Sequence, residues 1–180
     1  VSMAHLQVAV LPEGAARAAM EDFSNRVYAI AQVHKRLYTS QDIRTVRLDT
    51  YLEGLVRDLH RSISSQKALT RITFESPQMA VSIDRAISLG VILSELITNA
   101  SKYAYPGDHK GELRVRVICD DDGAARLEVE DDGVGLDDGA AKGTGLGTQV
   151  MEALASGLNG RLEVEGKAHG ARATLHFCME

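Results

Sequence analysis

The 180-residue sequence has no tryptophan, and only three phenylalanines, three prolines and two cysteines. Two thiols, Cys119 and Cys178, cannot form a disulfide framework, and with no secretory leader ahead of them they are expected to be reduced. No apolar run approaches the roughly 18–20 residues that a membrane-spanning helix needs. The start, Val1-Ser2-Met3-Ala4-His5, lacks the basic segment and apolar stretch of a signal peptide; it also lacks an initiator methionine, so further residues are expected upstream. Positive charge is not in excess. Twenty Lys and Arg stand against 25 Asp and Glu, net −5, which argues against nonspecific binding to nucleic acid or anionic membranes. Internal repeats and low-complexity tracts are also missing. What remains is 44% hydrophobic and 25% charged residues, the composition of an ordinary soluble protein of one or two domains with enough apolar material for a core.

Charge is distributed unevenly. Residues 1–78 carry 10 basic and 8 acidic side chains, whereas residues 79–180 carry 10 basic and 17 acidic. The acids of the second part gather at Asp120-Asp121-Asp122, Glu130-Asp131-Asp132 and Asp137-Asp138. Solubility and turn chemistry are the simplest readings of the first and third groups.

Periodicity divides the chain. Ala16, Met20, Phe23, Val27, Ile30, His34 and Leu37 alternate spacings of four and three, a stripe suited to a helix lying along another helix. A shorter apolar arm at residues 3–11 precedes it across Pro12-Glu13-Gly14. That arm is too short to cover the stripe, so upstream residues or a partner chain are expected to complete it. The polar break at residues 38–42 is the expected domain boundary, giving a helical hairpin over 1–40 and a second domain over 41–180. In the latter, a short strand is expected at 45–48. A helix capped by Asp49 and buried through Leu52, Leu55, Val56 and Leu59 should follow. A strand at 71–75 and a long helix at about 84–104 come next. Then come a β-hairpin from 112–118 and 126–130, a Gly- and Asp-rich loop at 131–147, a helix at about 148–157, and strands at 161–165 and 171–178. Helices with largely antiparallel strands predict an α+β chain whose second domain is a two-layer α/β sandwich.

Three segments carry chemistry. On the long helix Glu95, Asn99 and Lys102 fall at i, i+4 and i+7, on one face. A carboxylate, an amide and an amine in line can polarise a water, ligate a hard cation and pair with phosphate. A Mg2+ site built from one Asn oxygen plus phosphates fits the cation's preference for oxygen ligands and retained waters; a solvated helix face would look the same. In Asp131-Asp132-Gly133-Val134-Gly135 an alternating strand runs into acids and glycines. A carboxylate there can accept a hydrogen bond from an exocyclic amino group, and the glycines allow close backbone approach; a plain β-turn is the alternative. Gly143-Thr144-Gly145-Leu146-Gly147-Thr148 opens a helix, where exposed N–H groups favour phosphate. It is neither a Walker loop nor a dinucleotide fingerprint, and a flexible linker is the other reading.

Taken in order, the three segments resemble the N, G1 and G2 boxes of the GHKL (Bergerat) ATPases, and among them the sensor histidine kinases. The run Arg26-Val27-Tyr28-Ala29-Ile30-Ala31-Gln32-Val33-His34-Lys35-Arg36-Leu37-Tyr38 is similar to the second phosphotransfer helix of the HisKA-2 branch. The resemblance implies a Bergerat-type sandwich that binds ATP with Mg2+. Its nucleotide-binding residues would be Asn99, Lys102, Tyr103, Asp131, Gly133, Gly135, Gly143, Thr144, Gly145, Leu146, Gly147 and Thr148. Asn99 would ligate the metal, Asp131 would read the adenine amino group, and Glu95 would act as catalytic base or orienter. The implied reaction transfers the γ-phosphoryl to a histidine and onward to an aspartate on a response-regulator receiver domain. A homodimer through residues 1–38, a cytoplasmic location and an upstream sensor domain go with it. Two other readings are a noncatalytic histidine-phosphotransfer adaptor and a GHKL protein-serine kinase or ATPase. The sequence departs from the branch in two places. Its acceptor motif, a His followed by a basic residue and Lys-Asn, is not found; His5 does not match it, and His34 reads as packing. Ala171 stands where the family often has a Thr that helps to bind adenine through water. The lid between the glycine boxes, residues 136–142, is short.

Overall fold

A computed structural model describes residues 45–64, 69–106, 110–120, 123–136 and 146–179. The helical hairpin expected over 1–40, with His5, His34 and the dimerisation stripe, lies outside the described residues, as do Gly143, Thr144 and Gly145 and most of the short lid. In chain order the elements are β1 (Thr45–Arg47), α1 (Leu48–Ser64), β2 (Leu69–Glu75), β3 (Ala80–Ser82), α2 (Ile83–Tyr103), β4 (Gly111–Cys119), β5 (Ala124–Asp131), α3 (Leu146–Gly157), β6 (Arg161–Gly166) and β7 (Ala171–Cys178). Five strands form one sheet in the order β2-β4-β5-β7-β6, and β1 and β3 form a separate antiparallel ribbon. Only β2 and β4 run parallel, because a helix, α2, separates them in sequence; the remaining neighbours are antiparallel.

Period-two patterning decides which face of the sheet is covered. Leu113, Val115 and Val117 of β4, Leu127 and Val129 of β5, and Leu175 and Phe177 of β7 are buried. They join Leu52, Leu55 and Val56 of α1, Leu89, Ile92, Leu93 and Ile97 of α2, and Met151 and Ala155 of α3 in one core. Each fully buried Leu or Ile there contributes roughly 1.5–3 kcal/mol. The two-layer expectation therefore holds over the described residues. Cys119 and Cys178 are free and exposed. No helix among the described residues is long and apolar enough to cross a membrane.

One local expectation is corrected. Asp49 lies inside the first turn of α1, not ahead of it, and takes a two-point pair from Arg47 at 2.9 and 2.8 Å. The Arg47 hydrogen bonds hold its carboxyl at about 2. Asp49 thus ties β1 to α1 and does not cap the helix. The ribbon strand β3, three residues long, carries too few alternations to be read from sequence. At the start of α2, Ser82 is the N-cap and accepts from the Arg85 N–H at 3.4 Å.

The face of the sheet away from the helices carries charge. Glu128 and Glu130 are both 8% exposed although they point away from the core. Arg116 reaches Glu128 from the neighbouring strand β4, and Arg126 from two residues earlier on β5, each at 3.1 Å. Glu130 accepts from Lys167 Nζ at 2.6 Å and from Arg172 Nε at 2.7 Å. Burial alone would raise the Glu130 pKa, but Lys167 and Arg172 outweigh it and bring it down to about 2. A depressed carboxyl pKa stabilises the fold at pH values above the unfolded-state value. That contribution is lost as pH falls from the ordinary Glu range through about 2. Glu130→Gln should therefore lower unfolding free energy by about 2 kcal/mol at neutral pH. It should also flatten the acid limb, as urea melts at a series of pH values will register. An unchanged acid limb would remove Glu130 as its source.

Candidate functional site

Strand alternation sends the three acids of the central cluster in three directions. Glu130 faces the charged side of the sheet, as above. Asp131, one residue on, turns to the helical side at the end of β5. There its Oδ1 accepts from the Gly133 N–H at 3.0 Å and the Ala171 N–H at 3.2 Å. Burial, then its acidic neighbours Asp132 and Glu130, raise its pKa against the two backbone hydrogen bonds. Asp132 turns back, and its Oδ1 accepts from the Glu112 N–H at 2.8 Å and the Tyr105 hydroxyl at 2.9 Å.

Glycine makes this corner possible. A Cβ at Gly133 would overlap the Ala104 carbonyl, and the neighbouring Val134 N–H donates to that same carbonyl at 3.0 Å. The turn after β5 is thereby fastened to the end of α2. Gly170, at φ +83° in the β6–β7 hairpin, lies against the Asp131 carbonyl. The last turn of α2, the 131–136 segment and the 167–170 hairpin tip therefore meet at one end of the sandwich. After α3, the turn at Leu158–Asn159 leads into β6, whose first residue Arg161 pairs with His176 at the end of the sheet away from Asp131. The N–H groups at the first turn of α3, which includes Gly147 and Thr148, suit an anion.

Along α2 the three aligned polar residues grade from core to solvent: Glu95 is 7% exposed, Asn99 half-buried and Lys102 exposed. Tyr103 and Val134 are 70% and 61% exposed, and they flank the Ala104–Val134 hydrogen bond. Apolar surface left bare beside a carboxylate held by backbone is what a heteroaromatic ligand can cover. Asn99 offers a neutral amide oxygen, a hard donor that fits Mg2+ when phosphates and water supply the other ligands.

Residues 84–180 match the family described as histidine kinase-, DNA gyrase B- and HSP90-like ATPase. The chain belongs to this ATPase family. Residues 1–63 match a second family, described as histidine kinase. Among curated relatives, the sensor histidine kinase PdtaS of Mycobacterium tuberculosis is 30% identical over 146 residues, covering 78% of this chain and 28% of PdtaS. Blue-light-activated histidine kinase 2 of Erythrobacter litoralis is 26% identical over 175 residues, covering 91% of this chain and 48% of the relative. The chain thus spans half or less of the length of these relatives. The fold is shared with the histidine kinase domain of an Erythrobacter litoralis blue-light activated histidine kinase, at TM-score 0.77 and 19% identity, covering 99% and 96% of the two chains. The resemblance read from the three boxes is borne out.

Within this ATPase-family domain, the structure brings Asn99, Lys102, Tyr103, Asp131, Gly133 and Gly135 to one end, with the α3 start at Leu146 following the glycine-rich loop. Two features were missed from sequence. Ala171 was read only as a lost hydroxyl, yet its backbone N–H holds Asp131; no side-chain pattern announces a main-chain donor, although the preceding Gly170 marks the close approach. Tyr105 follows the helix and lies outside any motif, so the sequence carries no signal for it.

Proposed function

We propose that this chain is the ATP-binding catalytic part of a two-component sensor histidine kinase, with a phosphotransfer and dimerisation hairpin over 1–40 and the nucleotide domain over 41–180. The observation that carries the reading is the Asp131 carboxylate, anchored through Oδ1 by two backbone N–H groups. Its second oxygen is then left to accept from the adenine 6-amino group. Tyr103 and Val134 cover the purine, Lys102 approaches the phosphates, and the amides of Gly143, Thr144, Gly145, Leu146, Gly147 and Thr148 cradle them. Gly135, at φ +82°, lets the backbone turn closely beside the base. Asn99 holds Mg2+, which when bound neutralises charge building on the β- and γ-phosphate oxygens. Glu95, one turn earlier and buried, orients or accepts a proton at the attacking group. The histidine nitrogen forms a bond to the γ-phosphorus as the bond to the ADP oxygen breaks, and the phosphoryl then passes to an aspartate of a receiver domain. The histidine kinase match over 1–63 supports this reading over a serine kinase or plain ATPase. A homodimer through 1–38, an upstream sensor domain and a cytoplasmic location belong to the same proposal.

Titration calorimetry tests it. ATP should bind with millimolar or better affinity in Mg2+ and more weakly in EDTA. Asn99→Asp, which replaces a neutral metal ligand by a charged one, should change the Mg2+ concentration needed for half-maximal binding. No heat from ATP with Mg2+ on the unmutated chain would sink the assignment.

A further inference from the structure

We propose that Tyr105 and Asp132 form a positioning pair that sets the purine selectivity of the site by fixing Asp131 relative to α2. The proposal rests on the reading of Asp131 as the adenine contact. Neither residue touches nucleotide in that reading. Tyr105 leaves the end of α2 two residues after Tyr103, and Asp132 directly follows Asp131.

The geometry is a three-way junction. The Tyr105 hydroxyl lies 2.9 Å from both Asp132 Oδ1 and the Glu112 carbonyl, and Asp132 Oδ1 also accepts from the Glu112 N–H at 2.8 Å. One phenol thus ties the exit of α2 to the start of β4 and to the residue beside Asp131. Tyr105 is 5% exposed. Burial, and then the Asp132 carboxylate, push its pKa upward, so the hydroxyl keeps its proton and remains a donor. Gly111 completes the junction: a Cβ there would overlap the Tyr105 ring and the Asp132 carboxylate. Together with the Val134–Ala104 hydrogen bond, the junction fastens the adenine-reading strand end to the helix that carries Asn99, Lys102 and Tyr103. With it loosened, Asp131 keeps its charge but loses its place. A hydrogen bond to a base edge depends more steeply on placement than phosphate attraction does.

The readout is the ratio of ATP to ITP affinity, because ITP carries a 6-oxo acceptor where ATP has a 6-amino donor. The unmutated chain should prefer ATP by about 10- to 100-fold. Tyr105→Phe and Asp132→Ala should each shrink that ratio by about three- to tenfold, through weaker ATP binding with ITP binding little changed. Asp132→Asn keeps an Oδ1 acceptor for both donors and should restore the ratio to within about twofold. The Tyr105→Phe/Asp132→Ala double variant should be no worse than Asp132→Ala alone, since the two act through one junction. A purely structural role would lower ATP and ITP affinities together. Should the unmutated chain show no ATP preference, the Asp131 reading fails and the pair with it. Should it prefer ATP while Asp132→Ala and Asp132→Asn both retain the full ratio, the pair alone is overturned, whether or not Tyr105→Phe folds.

Discussion

Asp131→Asn is expected to weaken ATP binding by about 10- to 100-fold and to turn the preference toward ITP. Oδ1 of Asp131 is already engaged by the Gly133 and Ala171 N–H groups, and an Asn can keep both bonds only by leaving its carbonyl oxygen there. Its NH2 then occupies the position of the second carboxylate oxygen. Two donors face one another when the ligand is ATP, whereas the 6-oxo group of ITP finds a donor. Acid should act in the same direction on the native residue. Burial raises the Asp131 pKa, so the carboxylate is complete only above that raised value. As pH falls through it, the second oxygen becomes a donor and ATP affinity drops, at a pH higher than an ordinary aspartate would require. The Asn variant has nothing to titrate there, and its ATP affinity should be flat over the same range. Calorimetry with both nucleotides at several pH values checks all three results. An Asn variant that still prefers ATP would move adenine recognition to another residue.

Much of this corner was legible in the sequence, and the reason is local. Asn99 and Glu95 fall on one helical face by period alone, and the alternation of β5 continues unbroken to Asp131. The strands are long enough to alternate, as with Gly111–Cys119 and Ala171–Cys178, whose buried positions are every second residue. What sequence could not supply are contacts between segments far apart in the chain. Ala171 reaches Asp131 across 40 residues, and Tyr105 reaches Asp132 across 27. Charge clusters were ambiguous for the same reason. Glu130, Asp131 and Asp132 look alike in a row, and only the pleat and the neighbouring strands make the first an ion-pair centre, the second a carboxylate anchored by two backbone N–H groups and the third a junction. The Asp49 cap failed because an adjacent Arg47 offers a bidentate partner that competes with the helix N–H groups.

Gly170→Ala should be among the most damaging single-methyl additions to this domain. Two penalties coincide at this position. The backbone sits at φ +83°, where any Cβ is strained, and the added methyl would run into the Asp131 carbonyl and lie 3.0 Å from Asp131 Oδ1. Relief requires the 167–170 tip to move away from β5, which breaks the Ala171–Asp131 hydrogen bond. Gly123 provides the internal comparison. Its φ of +84° is nearly identical, but nothing among the described residues lies within 4 Å of the position its Cβ would take. Gly123→Ala therefore reports the conformational strain alone, about 1 kcal/mol, whereas Gly170→Ala adds the overlap and should cost about 2–4 kcal/mol. Urea unfolding of the two variants measures the difference. Nucleotide titration separates their consequences: Gly123→Ala, in the β4–β5 turn, should bind ATP normally. Gly170→Ala should lose affinity even at temperatures where it is fully folded, because Asp131 has lost one of the two amides that fix Oδ1. Equal unfolding free energies for the two would mean that the hairpin tip yields without strain, and that the closeness of Gly170 to Asp131 does not hold that carboxylate in place.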